Sequence, residues 1–248
     1  MNEKIYSLTC GNLVIRYKFL YPETHRYFGN YLKETSDFLL PDICLSPEYL
    51  EENRWLVDQN EESNAFLEFQ SLMIATGNLL LENNRAIFHG AALLWKEKAW
   101  IITAPSGIGK TTQLKLWKSI LKTDLKIING DKPILECRND GSIWIYSSPW
   151  RGKEKYGIKD LCAPLGGIIL LERGKENQID RIALNEAVLP LFVEFVSYPE
   201  NTNQIRHQGF ILNQIVNSIP IWKLTNVGDE DSANLTISTI EDYLKTEL

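Results

Sequence analysis

Three absences in this sequence exclude large classes of protein. No run of about 18 apolar residues occurs, so the sequence predicts no span across a membrane. The segment 1–6 lacks the apolar core of a secretion signal, and we expect a cytoplasmic protein. Lysine and arginine together number 26 against 32 acidic residues. The resulting net charge of −6 argues against a nucleic-acid partner, which needs a basic face.

Cysteine is also scarce, and its spacing excludes a common type of metal site. The chain contains 4 cysteines, and no two of them form a Cys-x-x-Cys pair, so a zinc site is not expected. Cys10 and Cys137 lie in apolar runs. We interpret the cysteines as buried free thiols in a reducing compartment. They are Cys10, Cys44, Cys137 and Cys162.

What is present is typical of a folded α/β protein. The 248 residues are 44% hydrophobic and 23% charged, enough to form a sizeable core. Patterns with period 2 and period 3.6 mix along the chain and predict a mixed sheet with helices. We divide the chain into a β-rich flank over residues 1–60 and a phosphate-loop domain over residues 61–248. Residues 21–60 are predicted to be irregular.

The predicted elements are bounded by turn residues or by a change of period. Strands are predicted over residues 5–10, 13–17, 86–95, 99–103, 126–129, 133–137, 142–146, 166–172 and 221–224. Helices are predicted over 64–81, after the loop at 104–112, and over 184–196, 204–218 and 229–248, the last capped by Asp231 or Ser232.

The most informative stretch is residues 104–112, between an apolar strand and a helix. Gly-Lys-Thr at the start of a helix is typical of a phosphate-binding loop, in which backbone N–H groups surround the phosphates of a nucleotide. Lys110 is predicted to bind the β- and γ-phosphates, and the Thr111 hydroxyl to bind Mg²⁺. Ala104 replaces the usual first glycine. The predicted nucleotide-binding residues are Ser106, Gly107, Ile108, Gly109, Lys110, Thr111 and Thr112.

Three further residues are candidates for chemistry. Asp131 follows the strand 126–129, where an acid can bind Mg²⁺ or accept the proton of a hydroxyl; the alternative is a turn aspartate. His89 lies in an apolar segment, where a buried core histidine is the alternative. Arg151 lies in a loop where a guanidinium could stabilise phosphoryl charge, and the alternative is a solvated loop.

The order of these motifs resembles that of the HPr kinase/phosphorylase family and, more broadly, of the phosphoenolpyruvate carboxykinase-like kinases. The resemblance covers roughly residues 65–248. It is nearest to the small HPr-kinase-like proteins of bacterial peptide-modification clusters, including lasso peptide kinases. It is carried by His89-Gly90-Ala91-Ala92, residues 105–111, Gly130-Asp131, Pro149-Trp150-Arg151-Gly152-Lys153 and residues 164–172.

The resemblance implies a role for each matching residue. Lys110 would bind the nucleotide phosphates and Thr111 the Mg²⁺. Asp131 matches the second acid of an Asp-Asp pair, which acts as base toward a serine hydroxyl, with His89 beside it. Arg151 matches the arginine of an Arg-Gly loop. Gly130 stands where the first acid of the pair would be.

We therefore expect an ATP- and Mg²⁺-dependent kinase that phosphorylates a serine-type hydroxyl of a peptide or protein. Two alternatives stay open. One is a carboxykinase or small-molecule kinase on the same fold, and the other is a partner protein that binds ATP without transferring phosphate. The sequence does not decide whether the chain forms a homo-oligomer.

Overall fold

The computed structural model describes residues 4–37, 39–57 and 63–246. Within these residues the chain forms a four-stranded sheet near the N-terminus and a larger mixed sheet with helices on both faces. This confirms the predicted mixed α/β class. The predicted boundary between residues 60 and 61 and the last two residues of the predicted C-terminal helix lie outside the described residues.

The elements are numbered in chain order. The strands are β1 (Tyr6–Cys10), β2 (Leu13–Lys18), β3 (Leu32–Glu34), β4 (Asp42–Cys44), β5 (Arg85–Ile87), β6 (Ala91–Trp95), β7 (Lys98–Thr103), β8 (Lys126–Asn129), β9 (Ile134–Cys137), β10 (Ile143–Tyr146), β11 (Cys162–Arg173), β12 (Gln178–Arg181) and β13 (Ile221–Asn226). The helices are α1 (His25–Phe28), α2 (Pro47–Glu52), α3 (Asn64–Leu81), α4 (Lys110–Leu121), α5 (Leu184–Phe192), α6 (Thr202–Ser218) and α7 (Glu230–Thr246).

The small sheet has the strand order β3-β1-β2-β4. β1 and β2 form the predicted hairpin, in which Cys10 faces Leu13 and Gly11 takes a positive φ of 64° in the turn. The buried face of this hairpin packs against α3 in one hydrophobic cluster that includes Leu8 and Leu72. The prediction of an irregular 21–60 segment is wrong, because β3, β4 and α2 lie there. Three-residue strands are too short to show a period in the sequence.

In the large sheet, β7 lies parallel to β11, and β11 lies parallel to β13. The carboxyl ends of these three strands therefore meet at one edge of the sheet, which is where ligand sites of α/β proteins gather. The remaining described pairs of this sheet, such as β6 with β7 and β9 with β10, are antiparallel. The sheet is mixed, as the hairpins beside the phosphate loop predicted.

The two faces of the large sheet have separate cores. On one face α4 and α7 pack against the sheet through Trp117 and Ile237. On the other face α5 and α6 pack through Leu191 and Ile211. The phosphate loop joins β7 to α4, so it emerges from the central strands with helices on both sides.

The predicted single strand over residues 86–95 is wrong in one important respect. The chain leaves the sheet between β5 and β6, and the N–H groups of Phe88, His89 and Gly90 bond to the carbonyls of Pro133, Glu194 and Asp131. β5 pairs with β9, whereas β6 pairs with β7. The break therefore lets one apolar segment change partners, and it places His89 at the change.

Other bounds differ from the predictions at element ends. α5 stops at Phe192 instead of residue 196, because Val196 N–H turns back to bond the Ile87 carbonyl. The cap of α7 is Asp229, whose carboxylate accepts the Ser232 N–H at 3.0 Å, so the prediction of Asp231 or Ser232 is wrong.

Cys10 and Cys137 are buried as predicted, but Cys44 is exposed. Among the described residues no helix combines the length and apolar character needed to cross a bilayer.

Candidate active site

Two glycines of the predicted phosphate loop adopt a backbone conformation that favours glycine. Gly107 and Gly109 have positive φ values of 80° and 125°, and a Cβ built on either would meet no atom within 4 Å. The loop is therefore not crowded at either glycine, and its binding of phosphate stays a prediction. Ala104 is not in the left-handed region, so this position does not require the usual glycine. It is buried, with 2% exposure.

The described loop also places its other predicted nucleotide-binding residues at or near the surface. Ser106 and Thr112 are exposed, and Ile108 and Thr111 are half-buried. A guanidinium nitrogen of Arg173, at the end of β11, donates a hydrogen bond of 2.6 Å to the Gly107 carbonyl. Arg173 therefore braces the loop from the neighbouring strand, a contact that the sequence pattern did not indicate.

Lys110 begins α4 and folds back over the loop. Its ammonium group donates hydrogen bonds to the carbonyls of Ala104 at 2.6 Å and Pro105 at 3.4 Å. Burial lowers the pKa of this ammonium group, while the negative charges of Glu194 and Asp131 act in the opposite direction. The lysine of the loop thus lies within electrostatic range of the acids described next.

Asp131 is held at the end of β8 by the side chain of Asn129. The Asn129 carboxamide oxygen accepts the N–H groups of Asp131 and Lys132, each at 2.8 Å, and its nitrogen donates to Ser148 Oγ at 2.9 Å. This turn fixes the backbone around Asp131. The carboxylate itself is 31% exposed, so it can be reached from solvent.

His89 lies between two acids. Its Nε2 is 3.5 Å from the Asp131 carboxylate, and its Nδ1 donates to the Glu194 carboxylate at 2.8 Å. The His89 N–H also bonds to the Glu194 carbonyl at 2.8 Å. Glu194 therefore holds both the backbone and the ring of His89. Because Nδ1 is bonded to Glu194, Nε2 is the ring nitrogen that faces Asp131. The described geometry brings His89 and Asp131 together as the sequence predicted.

A second lysine completes this cluster. Lys132 Nζ lies 3.3 Å from both carboxylate oxygens of Asp131, and only 16% of its side chain is exposed. Burial lowers the pKa of the Lys132 ammonium group, and Asp131 and Glu194 oppose that shift. Hereafter the acid–histidine cluster means Asp131, His89, Glu194 and Lys132.

The Arg151 loop reaches the cluster through its backbone. A Cβ built on Gly152 would lie 3.1 Å from Asp131 Cβ, so Gly152 allows the loop to pass directly over this acid. The guanidinium carbon of Arg151 lies 5.3 Å from the ring centre of Tyr31, in the N-terminal segment. Its Nε is buried and lacks a hydrogen-bond partner among the described residues. The structure thus brings the loop to Asp131 but directs this arginine toward the flank.

The missing acid at position 130 has a steric explanation. A Cβ on Gly130 would lie 2.9 Å from Tyr156 Cβ and 3.2 Å from the Arg151 carbonyl oxygen. No acidic side chain fits there without moving the neighbouring loop. The predicted ligands of a divalent cation are the Thr111 hydroxyl and the Asp131 carboxylate. This set suits Mg²⁺, which takes one or two carboxylates and completes its shell with phosphates and water.

Sequence reasoning missed two members of the cluster. Glu194 is 4% exposed, and in the sequence it is an isolated acid within the apolar run Leu-Phe-Val-Glu-Phe-Val. An acid in such a run is a usable signal, because a buried carboxylate needs a partner. Lys132 directly follows Asp131, but the Gly-Asp-Lys-Pro sequence indicated a turn rather than a buried lysine.

Comparison with known proteins gives limited information. No protein-family model matches the chain, and no curated protein does. Among solved structures, the chain is similar to the Hpr(Ser) kinase/phosphatase from Coxiella burnetii, with 11% identity and a TM-score of 0.34. The match covers 65% of this chain and 96% of that one. A TM-score of this size assigns neither an activity nor residue roles.

Proposed function

We propose that this protein is an ATP-dependent kinase of the HPr kinase-like type that phosphorylates a serine-type hydroxyl of a peptide or protein. The observation that carries the proposal is the position of Asp131. This carboxylate lies 3.5 Å from His89 Nε2 and within electrostatic range of Lys110 of the phosphate loop. A base beside a phosphate cradle is the arrangement that phosphoryl transfer to an alcohol requires.

In the proposed reaction the hydroxyl oxygen attacks the γ-phosphorus of ATP, and the bond from that phosphorus to the leaving oxygen of ADP breaks. Asp131 accepts the hydroxyl proton, assisted by His89 beside it. Lys110 stabilises the negative charge of the phosphates, and Arg151 is assigned the same task from its loop. Mg²⁺, held by Thr111 and Asp131, would supply further charge neutralisation when bound.

Within this class we propose a peptide acceptor of the kind modified by lasso-peptide-cluster kinases. The residues around Arg151, Pro149-Trp150-Arg151-Gly152-Lys153, support this choice over HPr itself, since they differ from the loop of true HPr kinases. A short peptide encoded beside this chain would be the first acceptor to test.

ATP binding without transfer is a second candidate, and one observation favours it. Because Tyr156 and Arg151 fill the space beside Gly130, the site has one fewer carboxylate for metal than the family pattern. The two candidates differ in a single measurement, which is whether labelled phosphate appears on an acceptor.

The experiment that tests the proposal compares the wild-type protein with Asp131→Asn. We expect wild type to transfer label from γ-labelled ATP to a serine peptide, and the variant to lose transfer while keeping its affinity for ATP. The loss should be about 10²- to 10⁴-fold, the usual contribution of a general base. Normal transfer by Asp131→Asn would show that the base is assigned wrongly. If the wild type binds ATP but labels no peptide, the non-catalytic candidate stands.

A further inference from the structure

A cavity of about 340 Å³ lies between the phosphate loop and α5. Ala104 and Pro105 of the loop line one end, and Glu194 of the acid–histidine cluster lines the cavity as well. We propose that this cavity receives a lysine or arginine side chain of the acceptor polypeptide, next to the hydroxyl that is phosphorylated. This inference rests on the proposed function, because it names the acceptor that the same site would use.

The walls of the cavity match a long cationic side chain in two ways. Leu170, Ile182 and Pro190 supply apolar surface, on which an aliphatic stem can pack. The charged groups among the described lining residues are the carboxylates of Glu172, Glu186 and Glu194 and the ammonium of Lys223. Since Glu194 is already bonded to His89, the two remaining acids face one base. This balance favours a cation and disfavours a phosphate.

The carboxylates are not all consumed by their existing partners. Glu172 lies 3.5 Å from Lys223, and 58% of its side chain is exposed. One oxygen of Glu186 accepts the Ala183 N–H at 3.1 Å, at the start of α5. Since a carboxylate has about four lone-pair sites, both groups can accept further hydrogen bonds from an ammonium or guanidinium group.

An apolar ridge lies on the helix that lines the cavity. Leu189, Phe192 and Val193 are 69%, 45% and 62% exposed, and their spacing of i, i+3 and i+4 places them side by side at the end of α5. The cavity-lining residues Glu186 and Pro190 belong to the same helix, and Glu194 directly follows the ridge. An acceptor with apolar residues beside its basic residue would cover this ridge while its basic side chain enters the cavity.

The position of the cavity also connects it to the proposed chemistry. It shares Glu194 with the pair formed by His89 and Asp131, since Glu194 lines the cavity and also bonds to His89. A basic side chain anchored there would bring a neighbouring hydroxyl toward Asp131. This arrangement uses binding away from the reacting atoms to position them.

The test measures binding of fluorescent synthetic peptides by anisotropy, separately from phosphorylation. The peptides share one serine and differ in whether arginine, glutamine or glutamate stands beside it, with leucine or glycine in the flanking positions. We expect the peptide with arginine and leucine to bind the wild-type protein about tenfold tighter than each other peptide. Glu186→Gln, which keeps an acceptor for the helix cap, should remove the preference for arginine. Leu189→Ser should remove the preference for leucine.

Two exposed residues away from the cavity provide matched controls. Glu241→Gln on α7 and Leu20→Ser before α1 should leave all peptide affinities unchanged. Equal binding of arginine and glutamine peptides would overturn the proposal. So would a loss of ATP affinity in Glu186→Gln or Leu189→Ser with unchanged peptide binding, because the cavity would then hold the nucleotide base. Peptides that bind as expected without being phosphorylated would leave the docking site standing and refute the kinase.

Discussion

The phosphate loop and the acid–histidine cluster are neighbours in space but are built from the chain in different ways. The loop comes from one continuous segment, 104–112, between β7 and α4. The cluster joins His89 to Asp131 and to Glu194, which is 105 residues away from the histidine in the chain. Its members come from a strand break, the end of β8 and the segment after α5.

The loop and the cluster therefore depend on the rest of the structure in different ways. The conformation of the loop depends on Gly107 and Gly109. Their positive φ values are accessible because glycine has no Cβ, and this does not depend on distant segments. The cluster depends on contacts between distant segments, including the hydrogen bond from His89 N–H to the Glu194 carbonyl. Changes within the loop should therefore abolish phosphate binding, whereas changes that disturb the cluster should affect transfer more than nucleotide affinity.

The largest effect is expected from Lys110→Ala. The variant removes the ammonium group that the loop offers to the phosphates, and we expect transfer to fall about 10²- to 10³-fold with a clear loss of ATP affinity. Transfer assays and a nucleotide titration measure the two effects. Wild-type activity in this variant would show that the loop takes no part in the mechanism. The contrast drawn between the loop and the cluster would then be wrong for the loop.

Substitutions of Glu194 test the role of the acid–histidine cluster. Glu194→Ala leaves the His89 ring without its fixed partner, so we expect transfer to fall about tenfold to a hundredfold while ATP affinity stays unchanged. Glu194→Gln keeps an oxygen that can accept the Nδ1 proton, and it should recover part of the rate. Glu200→Ala, which removes an acid that accepts from Asn78, is the control. Equal rates in all of these proteins would show that Glu194 only fills space.

Gly130→Asp tests whether the structure can accommodate an acidic side chain at position 130. Because a Cβ at this position would lie 2.9 Å from Tyr156 Cβ, we expect the free energy of unfolding to fall by about 1–3 kcal/mol, without a gain in activity. Gly209→Asp makes the same change on α6, where a Cβ meets no atom within 4 Å, and it should unfold close to the wild-type midpoint. Chemical denaturation measures both. A stable and more active Gly130→Asp would contradict the steric explanation.

The smallest expected effect is that of Arg151→Ala. Its guanidinium lies beside Tyr31, and Arg151 is assigned only a share of the charge stabilisation, so we expect the transfer rate to fall about tenfold and ATP affinity to change less. Single-turnover kinetics and an ATP titration separate the two quantities. If affinity falls as much as the rate, Arg151 acts in the ground state and belongs with the loop rather than with the cluster.

Much of the fold was predictable because local sequence patterns specify its helices and strands. Helix α3 was predicted with its observed bounds, since its apolar residues recur with helical period over eighteen positions. The hairpins β1–β2 and β9–β10 were predicted from alternation and from turn residues. The break after β5 was not predictable, because residues 86–95 are apolar or small apart from His89 and their bonding partners lie at residues 131–133 and 194.

The sequence by itself determined the mixed α/β class of the fold, and it predicted a phosphate loop over residues 104–112 and the candidate groups Asp131 and His89. These follow from residue types and short spacings, which act over one strand, one turn or one helix. Only the tertiary structure decided that Glu194 holds His89, that Lys132 lies on Asp131 and that Tyr156 leaves no room for an acid at position 130. The reason is that buried charges and close packing are satisfied by partners far away in the chain, and no local pattern specifies which partner arrives.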